Sequence, residues 1–124
     1  MKKATLNKKL EKLGSEIIKA DNVETLENVI IDIFPNCQEL HVESMEDFYF
    51  LVCEDWEGAK PSKKAMQKLD SNFKSIYDIS GLDVGLTKNK DGDLILYSSI
   101  YVEYYDKWEH SNGKSYTITE KIIS

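Results

Sequence analysis

The chain has 124 residues, of which 41% are hydrophobic and 31% charged, with a formal net charge of −6. A length of this order is one domain's worth and buries roughly two-thirds of its unfolded surface, so a core forms without disulfide staples, and the composition is too apolar for intrinsic disorder. An acidic total whose 16 basic residues are all lysine argues against a nucleic-acid partner, and no apolar run reaches membrane-spanning length.

Met1-Lys2-Lys3-Ala4-Thr5 is basic but leads into a charged amphipathic segment with no apolar stretch of its own, which does not read as a signal peptide. A soluble cytoplasmic protein is the expectation, and Cys37 and Cys53 are too few for a disulfide framework. From Leu6 the apolar residues recur as Leu10, Leu13, Ile17 and Ala20, a helical stripe with lysines on the remaining arc. Gly14 in that stripe marks a kink or a packing contact. A second helix begins with Asn22 as cap and shows Val23, Leu26, Ile30, Ile33 and Phe34 on one side before Pro35-Asn36 ends it. The β-branched run Val29-Ile30-Ile31 leaves a short strand over 28–34 as an alternative.

Residues 38–43 and 48–53 then read as a two-stranded hairpin turning around Ser44 to Asp47. The first strand alternates and has one wet face, whereas the second is apolar on both sides and suits the sheet interior; their mutual register stays open. Pro61-Ser62 opens a third helix with Ala65, Met66, Leu69, Phe73, Ile76 and Tyr77 at helical spacing, stopped by Ser80-Gly81. The last third predicts a three-stranded antiparallel meander, about 82–88, 93–108 and 115–123. A three-residue loop Lys90-Asp91-Gly92 places Leu86 opposite Leu96 and Leu82 opposite Ile100. A second such loop, Ser111-Asn112-Gly113, places Trp108 opposite Tyr116 and Val102 opposite Ile122. The expected architecture is therefore α+β: a single domain over 1–124, with a mainly antiparallel sheet of about five strands, made of a hairpin and a meander, and about three helices on one face.

Charge is distributed unevenly along this chain. From Ala20 to Ala59 there are 11 acids and no lysine, namely Asp21, Glu24, Glu27, Asp32, Glu39, Glu43, Glu46, Asp47, Glu54, Asp55 and Glu57. One reading is a solvated surface whose acids face lysines elsewhere in the fold; the other is a one-signed patch that steers a basic partner. Trp56 would anchor the loop Glu54-Asp55-Trp56-Glu57. Alternation along the long strand puts Ile95, Tyr97, Tyr101, Glu103 and Tyr105 opposite the core side, and this tyrosine row is either an interface or a face covered by a helix or another chain. The candidate partner interface comprises Glu39, Glu43, Glu46, Asp47, Glu54, Asp55, Trp56, Glu57, Tyr97, Tyr101 and Tyr105.

Other chemistry is poorly supported. Cys37, His41, Cys53 and His110 lack the paired spacing of a metal site, and the hairpin turn Thr87 to Asp93 lacks the first and twelfth ligands of a calcium loop. A Cys37 or Cys53 nucleophile with His41 as base has no identifiable third partner, and no glycine-rich phosphate loop occurs. The expectation is a non-enzymatic protein with no cofactor, no metal, no nucleic acid and no membrane partner.

An N-terminal helical segment, an acidic hairpin, a middle helix and a C-terminal meander together resemble, in outline over the whole chain, small immunity proteins of bacterial toxin systems and small phage-encoded inhibitors that mimic nucleic-acid charge. The resemblance implies a cytosolic antitoxin that occludes the basic active surface of a cognate nuclease or similar toxin. A self-associating domain, pairing as a homodimer through its tyrosine face or an edge strand, is the reading from a different class.

Overall fold

A computed structural model describes residues 3–52 and 56–123, with the backbone alone at Glu57. Helix α1 (Lys3–Lys19) buries Leu6, Leu10, Leu13 and Ile17, because steps of three and four residues return to one helical face. Gly14 lies in that stripe and makes a packing contact: a β-carbon there would stand 3.3 Å from the Ile123 side chain. Helix α2 (Val23–Ile33) starts where the Asn22 side chain accepts the Thr25 amide at 2.9 Å. Its β-branched run is helical, which removes the strand alternative; burying Leu26, Ile30 and Ile33 outweighs the weak propensity penalty.

Strands β1 (Cys37–Ser44) and β2 (Asp47–Val52) form the first hairpin, in the register Leu40↔Phe50, His41↔Tyr49 and Val42↔Phe48. After a short 3-10 turn (Glu57–Ala59), helix α3 (Lys63–Leu69) is capped by the Ser62 hydroxyl, which accepts the Ala65 amide at 3.1 Å. Strands β3 (Phe73–Lys88), β4 (Leu94–Asp106) and β5 (Ser111–Ile122) complete a five-stranded antiparallel sheet in which the order in space equals the order in the chain. Side chains from all three helices join Phe48, Phe50, Val52, Leu82, Val84, Leu86, Leu96, Ile100, Val102 and Tyr104 in one apolar cluster, so the helices occupy one face of the sheet. Within it the Tyr104 hydroxyl donates to the Asp70 carboxylate at 2.8 Å.

Two expectations are corrected. The third helix ends at Leu69, and Phe73, Ile76 and Tyr77 belong to β3. Register shifts at 73/75, 76/78 and 80/83 bring Phe73, Ile76, Ile79 and Leu82 to the core side at intervals of three, imitating a helical stripe in an extended chain. The second correction concerns the last hairpin, where Tyr105 pairs with Ser111, Val102 with Lys114 and Ile100 with Tyr116. Its turn is Lys107-Trp108-Glu109. The Asp106 carboxylate accepts the Trp108 and His110 amides at 2.9 and 3.0 Å, and Glu109 takes the left-handed position at φ 65°.

The preceding hairpin has the same plan and keeps its expected register from Leu86 opposite Leu96 to Asp83 opposite Ser99, while Leu82, expected opposite Ile100, falls in the register shift between Ser80 and Asp83. There Asn89 accepts the Asp91 and Asp93 amides at 3.0 and 2.9 Å, and Gly92 supplies the left-handed residue at φ 84°.

Candidate functional site

The alternation that seals the helix side turns the other set of side chains outward, where no described helix covers them. Cross-strand register lines these residues up. One transverse row runs His41, Tyr49, Gly85, Tyr97 and Glu120, and the next runs Glu39, Leu51, Asp83, Ser99 and Thr117. Further along, Ser80, Tyr101 and Ser115 align, then Asp78, Glu103 and Gly113, and finally Ser75, Tyr105 and Ser111.

Several rings on this face are held in place. A β-carbon at Gly85 would run into the Tyr97 ring, and one at Gly113 into the Tyr101 ring, so each tyrosine lies over the backbone of a neighbouring strand. His41 stacks on Tyr49 with ring centroids 4.6 Å apart, and Tyr77 on Tyr105 at 4.5 Å, while the Tyr77 and Ser111 hydroxyls hydrogen-bond each other. Tyr49, Tyr77, Tyr101 and Tyr105 nevertheless remain between 38% and 46% exposed. A row of ordered yet wet aromatics on an uncovered sheet is the kind of surface that partners use.

The carboxylates of the face are Glu39, Asp47, Asp78, Asp83, Glu103 and Glu120, with Glu43 beside them at the β1 bulge. No lysine occupies a paired position there: Lys88, Lys114 and Lys121 pair with Leu94, Val102 and Leu96 on the helix side. Among the described residues none of these seven acids has an ion-pair partner within 4.0 Å. Burial, reinforced by the nearby Glu39 charge, pushes the Asp83 carboxyl above its ordinary value. The Tyr97 phenol is raised too, first by burial and then by Asp83 and Asp47.

The sequence-derived interface residues fall into four groups. Glu39, Glu43, Asp47, Tyr97, Tyr101 and Tyr105 come together on this face. Glu46 stands at the hairpin tip, ion-paired with Lys88 at 3.1 Å. Glu54 and Asp55 lie outside the described residues, as does the Glu57 side chain. Trp56 is corrected: it is fully buried in the core, so it is withdrawn from any surface contact, and its indole Nε1 meets no hydrogen-bond partner among the described residues.

The lysine-free window is therefore not one patch. Asp21, Glu24, Glu27 and Asp32 belong to α2 and its approach, while the face draws Asp78, Asp83, Glu103 and Glu120 from outside the window. Asp78 was hidden by the helical spacing of its neighbours; Tyr49 and His41 were legible from simple alternation about Phe48, Phe50 and Leu40.

Cys37 pairs with Val52 on the helix side, whereas His41 projects from the tyrosine face, so β1 does not assemble them into a dyad. Burial raises the Cys37 thiol, away from the thiolate that a nucleophile requires. Among the described residues no three His, Cys, Asp or Glu side chains converge on a possible metal position, and no helix is long and apolar enough to cross a membrane. Comparison of the chain with protein-family models, with curated proteins and with solved structures finds no match.

Proposed function

We propose that this is a non-enzymatic binding protein, of the immunity or antitoxin kind, that neutralises a basic protein partner through the open face of its sheet. One observation carries the reading: five transverse rows, each bearing a tyrosine or a carboxylate, share a surface from which paired lysines are missing. Potential of one sign steers an oppositely charged partner and rejects others, while the tyrosines supply rigid contact area at low entropic cost. Face-to-face pairing of two copies would set like charges against each other, which favours a foreign partner over a homodimer. The free thiol of Cys37 accords with a reducing, cytoplasmic setting.

The test is to recover the partner from the native cell with the wild-type protein and with a variant combining Glu39→Gln, Glu43→Gln, Asp47→Asn and Asp83→Asn. A basic protein retained by the wild type, lost at high salt and captured by the variant with an on-rate about tenfold lower is the expected result. An acidic partner, or retention indifferent to both salt and substitution, overturns the proposal.

A further inference from the structure

Resting on that reading of the open face, we propose that its β3–β4 portion is a seat for arginine side chains of the partner, built from Tyr77, Asp78, Tyr101, Glu103 and Tyr105. Asp78 and Glu103 are direct cross-strand partners, and residues so placed have β-carbons about 4.5–5.5 Å apart. Two like charges in that position cost stability. Among the described residues no lysine is ion-paired with either carboxylate, although Lys74 on the same strand and Lys107 and Lys114 nearby could supply one. Lys74 is engaged with Glu109, Lys107 lies 4.7 Å over the Trp108 ring, and Lys114 donates to the Leu69 carbonyl at 2.7 Å on the helix side.

Aromatic rings flank the carboxylate pair on both sides. Tyr101 and Tyr105 stand two residues before and after Glu103, hence on the same face of β4, and the β3 bulge presents Tyr77 there as well, stacked on Tyr105. Adjacent carboxylates with exposed ring faces beside them match a guanidinium, which donates in a planar fork and stacks on aromatics; an ammonium offers a point charge only. The occupant comes from elsewhere, since this chain contains no arginine and a second copy would bring none.

The experiment titrates the full-length chain with an oligo-arginine peptide and an oligo-lysine peptide of equal length, reading affinity by calorimetry and location by amide chemical shifts. Arginine is expected to bind about tenfold more tightly, a difference typical of a gained bidentate contact, with the largest shifts at Tyr77, Asp78 and residues 101–105. The Asp78→Asn, Glu103→Gln double variant is expected to abolish that preference, and Tyr105→Leu to reduce it. Equal affinity for the two peptides, or shifts confined to β1 and β2, overturns the seat while leaving a basic partner for the wider face intact. Failure of both peptides to bind overturns the seat and the wider reading together. The wild-type comparison alone decides between arginine and lysine, so the outcome does not depend on the variants folding.

Discussion

The two faces of the sheet are cut from the same strands yet follow different rules. On β4 the residues Leu96, Ile100, Val102 and Tyr104 are essentially inaccessible, while Tyr101 and Tyr105, one residue away, remain well exposed. The helix side is explained by burial: each fully enclosed large apolar side chain contributes roughly 1.5–3 kcal/mol. Apart from Ile95, burial explains little of the other side, where Asp78 faces Glu103 and Asp83 is held close to Glu39. Under the proposed reading, these unfavourable neighbours are kept for contact with a partner and not for the fold.

Paired substitutions can break or sharpen this contrast. The largest effect is expected from Phe50→Ala, about 3–5 kcal/mol of lost stability by chemical denaturation, against less than about 1.5 kcal/mol for Tyr49→Ala on the adjoining residue. Comparable losses would mean that the faces share the burden of stability.

Next in size is Tyr104→Phe, which removes a hydroxyl bonded to the Asp70 carboxylate and is expected to cost about 1–2 kcal/mol, whereas Tyr101→Phe leaves stability unchanged. Burial first, and then the hydrogen bond and charge of Asp70, push the Tyr104 phenol from 10.0 up to about 12, so the fold favours the neutral ring. Its contribution is complete below pH 10.0 and lost as pH rises toward about 12. Tyr104→Phe is expected to flatten that alkaline decline, as followed by denaturation midpoints.

The smallest effect is stabilising. Asp83 has a raised folded value, so its ionisation weakens the fold as pH climbs through that value, and Asp83→Asn is expected to melt slightly above wild type at neutral pH. The gap should close as pH falls below 3.8, the ordinary aspartate value. A wild-type advantage at neutral pH would show that the carboxylate serves stability after all.

How much of this was legible in the sequence depended on whether one residue type had one meaning. Gly92 was read correctly because it serves the left-handed position of a turn. Gly113 looked like a second such residue, yet its task is to leave room for the Tyr101 ring, and Glu109, an unfavoured residue for that conformation, closes the hairpin. Helical spacing misled in the same way in β3, where bulges reproduce an interval of three. The α+β class and the tyrosine row were readable from hydrophobic alternation; the first hairpin was readable as two strands, but its register was not, because its second strand is apolar on both sides. The acidic window was visible as composition, but which acids share a surface is fixed by pairing across strands, and half of the face came from segments whose register was misread.

Strand order has a kinetic corollary. Every ladder joins segments that follow one another along the backbone, the longest excursion being the one through α3 between β2 and β3. Loop-closure entropy is then low for each zippering step, and refolding is expected to be rapid for a β-rich chain of this size. The terminal ribbon, bonded to a single neighbour, is the natural place for fraying to begin, and amide exchange there is expected to outpace that of β3.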